Sequence, residues 1–213
     1  MTAMRQRYLD QFRQGILAGK SSSKDDLFRL LYGLPPWQEI ELARHMTARF
    51  LPIYRVHHPT VAWPEMLLGD VDRYFSEDGE GLPDEPQPER SGDTEFYYCL
   101  HGLSDAWSYV GRGDLGKVTT ACCTVLIWAV GARAANVWYA DDPEAAHAFQ
   151  IGDRETWRGR TPHHNVASRA VTRREWLVAM DWLAERDIGS LPESEDSERE
   201  TLLAWWKDRE CTL

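Results

Sequence analysis

Between Lys117 and Ala140 the chain reads KVTTACCTVLIWAVGARAANVWYA, and from Val118 to Ala132 it carries no charge. Small residues (Ala121, Ala129, Gly131, Ala132, Ala134, Ala135) are mixed with large ones (Val125, Leu126, Ile127, Trp128, Trp138). A helix that is apolar on every side has no face to give to water and must be wrapped by other elements. At 1.5 Å per residue this stretch spans roughly 35 Å, enough to cross a domain of this size. It predicts an all-α fold: a single bundle-like domain over residues 1–213, built around a buried helix at about 117–140.

The flanking sequence supplies helices to do the wrapping. Tyr8, Phe12 and Ile16 continue a four-residue spacing from Met4 and predict a first helix over 3–18, ended by Gly19 and serines. Ser23-Lys24-Asp25-Asp26 has capping spacing ahead of Leu27, Leu30 and Leu31, and Gly33 stops that helix. Pro36 suits the start of a third helix. That helix runs from Trp37 to about Val56, with Trp37, Ile40, Ala43, Thr47, Phe50 and Leu51 inward. Pro52 is expected to kink or end it. Pro64 opens a helix with Met66, Leu67, Val71, Tyr74 and Phe75. Phe96, Cys99, Leu100, Leu103, Trp107 and Val110 mark another, and Asp142-Pro143 caps a short one to about Phe149. Thr172-Arg173-Arg174-Glu175 and Ser197-Glu198-Arg199-Glu200 read as capping boxes for two last helices. Polar loops are expected at about 76–92 and 150–171. No segment alternates strictly enough to predict a strand.

The motifs point away from familiar chemistry. Gly111-Arg112-Gly113-Asp114-Leu115-Gly116 has the spacing of a dinucleotide fingerprint, but that loop works only between a strand and a helix. Here helix precedes it, so a helix–helix turn is expected. The pairs His57-His58 and His163-His164 lack the spacing that brings two imidazoles onto one metal. Adjacent histidines are expected to diverge, in exposed loops; a site would need the two loops to meet. Cys99, Cys122, Cys123 and Cys211 include no C-x-x-C pair and read as inert thiols. No catalytic residue, cofactor site or metal site is assigned. Arg133, inside the apolar stretch, is expected to be a structural charge held by a carboxylate such as Glu95 or Asp105.

A net charge of −10 argues against binding a phosphate backbone. It suits a soluble cytoplasmic protein, or one whose partner is basic. The N-terminal residues lack a signal-peptide apolar run, and the charge-free stretch is shorter than a membrane span. Glu77, Asp78, Glu80, Asp84, Glu85 and Glu89, with a second acidic run over 193–200, are the candidate docking residues for such a partner.

The run Glu41 to Tyr54, ELARHMTARFLPIY, followed by Pro59 and by Pro64 with Leu67 and Leu68, resembles the opening of a helical family. It is the immunity-protein family of bacterial polymorphic-toxin systems. An alanine-rich pair of helices follows there, as Ala121 to Ala148 does here. The resemblance implies an inhibitor that neutralises a cognate toxin by direct non-covalent binding, not an enzyme, with no catalytic residues to carry over. Two other readings stand beside it: a helical enzyme with a metal-assisted site using the four paired histidines, and a helical scaffold or regulator that binds another protein.

Overall fold

The computed structural model describes residues 3–20, 24–32, 34–69 and 92–185, without the side chains of residues 3–5. The described chain is helical throughout and holds no strand. In order, the helices are α1 (Ala3–Leu17), α2 (Lys24–Leu31), α3 (Pro36–Ala48), α4 (Leu51–His57), α5 (Trp63–Gly69), α6 (Asp93–Gly111), α7 (Leu115–Asp141), α8 (Pro143–Gln150), α9 (Arg154–Trp157) and α10 (Val166–Glu185).

The apolar stretch is α7, and α2, α3, α6 and α10 pack along it. Its buried residues follow no single stripe: Val118, Cys122, Cys123, Val125, Leu126, Ala129, Val130, Ala132 and Ala135 are all buried. The wrapping is nevertheless incomplete, because Ile127 and Trp128 each remain 37% exposed. Adding the first turn before Val118 and the two turns after Ala132 makes α7 a 27-residue helix. It is therefore long and apolar enough to cross a membrane by length and composition, against the expectation from the charge-free run alone. Half of its most apolar window is buried against the rest of the protein.

The closest partner of α7 is α6: after the turn that follows Gly111, α7 runs back along it. Gly102 lets the two backbones approach: a Cβ there would stand 2.5 Å from Val125 Cγ2. Cys99 donates its thiol hydrogen to the Val125 carbonyl at 3.6 Å. At the far end Gly92 sits at φ +106°, where a Cβ would meet the Ala132 carbonyl at 2.7 Å. Asp114 caps α7 through the Lys117 amide. The six-residue glycine motif is thus the expected helix–helix turn.

Two boundaries and one helix face differ from the sequence reading. The helix from Trp37 to Val56, expected to kink or end at Pro52, is two helices broken slightly earlier, at Arg49 and Phe50. Pro52 has no N–H for the Ala48 carbonyl, so α3 closes there and Pro52 enters the first turn of α4. α3 is also less amphipathic than expected, since Gln38, Glu39, Glu41, Leu42 and Met46 are buried beside Ile40 and Ala43. Glu39 accepts a hydrogen bond from Thr119 Oγ1 of α7 at 3.0 Å. Finally, α10 starts at Val166, six residues before the supposed capping box. Asn165 Oδ1 accepts from the Ser168 amide at 2.8 Å and is the true cap. Thr172 lies within the helix and donates to the Ser168 carbonyl.

That early start shortens the loop expected over 150–171, which is further ordered by α9. Asp153 Oδ1 accepts from the Glu155 and Thr156 amides. Arg160 reaches back with two nitrogens to Asp142, at 3.0 and 2.6 Å, and to Glu144 at 2.9 Å. Asp142 also caps α8 through the Ala145 amide. Trp138, Phe149 and Trp157 stack edge to face beneath this segment. The supposed helix after Ser197, Cys211, the second acidic run and the continuation of α5 at Val71, Tyr74 and Phe75 lie outside the described residues, as do the helix stops at Ser23 and Gly33.

Candidate functional site

Two buried polar centres and one exposed aromatic face stand out. The first centre is Glu175 of α10, whose side chain is fully buried. Arg49, at the end of α3, donates to it from Nε at 2.6 Å and from Nη2 at 3.2 Å. Arg133 of α7 approaches it at 3.5 Å and Arg174 at 3.3 Å. Arg133 also donates to the Arg49 carbonyl at 3.1 Å, where α3 leaves a carbonyl without a helical partner. Burial alone would raise the Glu175 pKa, but the Arg49 hydrogen bonds and the charges of Arg133, Arg49 and Arg174 outweigh it. The carboxyl is held below its ordinary range. Burial draws the Arg133 pKa down, against the pull of Glu175. Arg133 is held by a carboxylate, but that carboxylate is Glu175 rather than the expected Glu95 or Asp105. Glu95 caps α6 instead, accepting from the Gly92 amide at 2.9 Å.

The second centre is Asp93, the first residue of α6 and 3% exposed. His57 Nδ1 lies 3.3 Å from Asp93 Oδ1, and His58 Nε2 lies 2.8 Å from Oδ2. The two imidazoles were expected to diverge into solvent; they are buried and converge on one carboxylate. The end of α4 turns them inward together, with His58 packed on the Tyr54 ring. His163 and His164 are exposed, and Thr161 Oγ1 lies 2.7 Å from His164 Nδ1. Among the described residues no group of three or more His, Cys, Asp or Glu is placed to hold a metal ion. Each nitrogen of the His57–Asp93–His58 set faces its own oxygen, which is hydrogen-bond geometry rather than ligation of a common ion.

The cysteines fit the reading as inert thiols. Cys99, Cys122 and Cys123 are buried and free. Burial pushes all three pKa values up, that of Cys123 to about 12. An open cleft of 930 Å³ between α1 and α2 is lined by Gln6, Asp10, Gln14, Lys20, Asp26 and Arg29.

The exposed face belongs to α6 and α7. Tyr98 is 46% exposed, and its ring centroid lies 5.2 Å from that of Trp128. Ile127 adjoins Trp128 in the chain. Tyr97 extends the aromatic surface towards Trp63 of α5, 6.0 Å away, and His101, 4.4 Å away. One turn from the Tyr98–Trp128 pair, Glu95 packs against Gly131, 4.0 Å from where a Cβ would stand. Aromatic side chains presented on a rigid helix pair are what binding hot spots are made of. Glu77, Asp78, Glu80, Asp84, Glu85 and Glu89, the docking residues expected from sequence, lie outside the described residues. The aromatic face was missed because Trp128 looks in sequence like any other apolar residue of a buried rod.

Comparison with protein-family models, with curated proteins and with solved structures finds no match.

Proposed function

We propose that this protein is an immunity-type inhibitor that neutralises a cognate bacterial toxin by direct non-covalent binding. Its sequence support is the resemblance carried by Glu41 to Tyr54. The structural observation that carries the reading is the exposed Tyr98–Trp128 pair on α6 and α7. Those helices are locked together at Gly92 and Gly102, so the rings sit on a preformed surface and little ordering opposes binding. On this reading the protein works in the cytoplasm, where the toxin would act, and needs no cofactor.

The test is co-expression with the product of the adjacent gene. Rescue of cells from that product, together with co-purification of the two, is the expected result. A non-toxic neighbour, or a toxic one that is neither bound nor relieved, ends the proposal. A helical scaffold would use the same surface for a partner that is not a toxin, and the identity of the co-purified protein separates the two.

A further inference from the structure

We propose that the outer surface of the α6–α7 pair, centred on Tyr98 and Trp128, is the docking face, and that it takes an arginine side chain from a basic protein partner. The inference rests on the binding reading above and supplies its contact surface and the partner's chemistry.

Single exposed apolar residues are normal on any protein and need no explanation. Tyr32, Val56 and Val166 are of that kind. Tyr98 and Trp128 differ because their rings meet across the α6–α7 pair, with Ile127 next to Trp128 in the chain. The surface leading to them along α7 offers few hydrogen-bonding groups. Thr120 and Thr124 each donate their hydroxyl to a carbonyl four residues back, on Gly116 and Thr120. A partner there meets rings and hydrocarbon.

The two helices that carry the rings bring carboxylates and no cation beside them in sequence. Asp93 is buried against His57 and His58, but α6 also carries Glu95 and Asp105, and it has no Lys or Arg from Asp93 to Gly111. Glu95 and Asp105 stand three residues before and seven after Tyr98, on the same helical face. The facing run of α7, Val118 to Ala132, is uncharged. The whole chain has a net charge of −10. A tyrosine–tryptophan pair with Glu95 and Asp105 at helical spacing from the tyrosine matches one side chain best. The arginine guanidinium stacks flat on an aromatic face while its N–H groups pair with carboxylates, which the compact lysine ammonium does less well.

The test uses the full chain and a hexa-arginine peptide as probe, with a hexa-lysine peptide beside it, by calorimetry at low and physiological salt. Binding of the arginine peptide is expected to be tighter than that of the lysine peptide. Trp128→Ala should weaken it about 5- to 10-fold. Asp105→Asn should weaken it less and flatten its salt dependence. Thr124→Arg adds a like charge one helical turn from Trp128 and should abolish binding. Circular dichroism and the urea midpoint establish that each variant is folded. Equal affinity for Trp128→Ala, Thr124→Arg and the parent overturns the docking face. A parent dimer in sedimentation that Trp128→Ala dissolves overturns the occupant, showing a second copy there instead. In the cell assay, rescue that survives Thr124→Arg leaves the inhibitor reading standing and removes the face. Failure of the parent to rescue removes the inhibitor reading, and the peptide titration still decides the face.

Discussion

Glu175 of α10 and Arg49 at the end of α3 are 126 residues apart in sequence, yet two guanidinium nitrogens of Arg49 grip the Glu175 carboxylate at 2.6 and 3.2 Å. Arg133 of α7 closes on the same carboxylate, so three helices that meet at the core share one buried charge. Such a pair need not add stability over an apolar replacement, but removing one side strands the other.

Glu175→Ala should therefore lower unfolding stability by about 3 to 5 kcal/mol. Urea denaturation with an unchanged slope checks it. The pH dependence has a definite sign. The Glu175 pKa is lower in the folded protein than in the unfolded chain, so the folded state binds its proton less readily. Its contribution is present above the unfolded value, about 4.3, and is lost as pH falls through the folded value. A Glu175→Gln variant should lose less stability on acidification below that unfolded value than the parent does. Parallel acid profiles for the two would remove Glu175 from the account.

The glycines at the α6–α7 contact should differ in cost. At Gly92 an alanine meets both a positive φ and the Ala132 carbonyl at 2.7 Å, neither of which can yield. Gly92→Ala should cost about 3 kcal/mol. At Gly102 the obstacle is the Val125 side chain at 2.5 Å, stiff in its rotamer but part of a side chain. Crowding of about 2 kcal/mol is there offset by about 1 kcal/mol of helix propensity. Adding Val125→Ala to Gly102→Ala should cost less than the sum of the two single changes, as urea midpoints around a double-mutant cycle would measure.

The elements easiest to read from sequence were those whose cause is local. All-round apolarity announced α7, Asp142-Pro143 announced α8, and the glycines after Val110 announced a turn between helices. The failures were non-local. Thr172 to Glu175 satisfies the capping-box pattern, but Asn165 had already started the helix, and Glu175 was reserved for arginines on α3 and α7. Asp93 looked like an ordinary first-turn acid, and nothing near it in sequence records the two imidazoles it holds. Trp128 could not be told from its buried neighbours, since exposure depends on where the wrapping helices stop.

The buried thiols give a prediction about reactivity. Only the thiolate attacks an alkylating agent, and burial keeps Cys99, Cys122 and Cys123 protonated as well as out of reach. In a Cys211→Ser variant, iodoacetamide at pH 8 should modify the native protein at least about 100-fold more slowly than the unfolded chain. Mass spectrometry should then show three alkylations appearing together with unfolding. Early modification of any one of them in the native state would place that thiol outside the core.

Asp93 makes the last prediction, because it can act in two ways that a single substitution cannot separate. As the first residue of α6 it places negative charge at a helix N-terminus, worth about 0.5 kcal/mol. As the shared acceptor of His57 and His58 it satisfies two buried imidazoles, and leaving a buried donor without a partner costs about 1 to 3 kcal/mol. Asp93→Ala should lower stability by about 2 to 4 kcal/mol, more than the helix terminus alone explains. A cycle of Asp93→Ala with His58→Ala decides the matter: the double variant should be at least about 1 kcal/mol more stable than the two single effects predict. Additive effects would mean that Asp93 serves only the helix. Coupling would mean that α4 and α6 are fastened through this carboxylate, directly beside the base of the aromatic face.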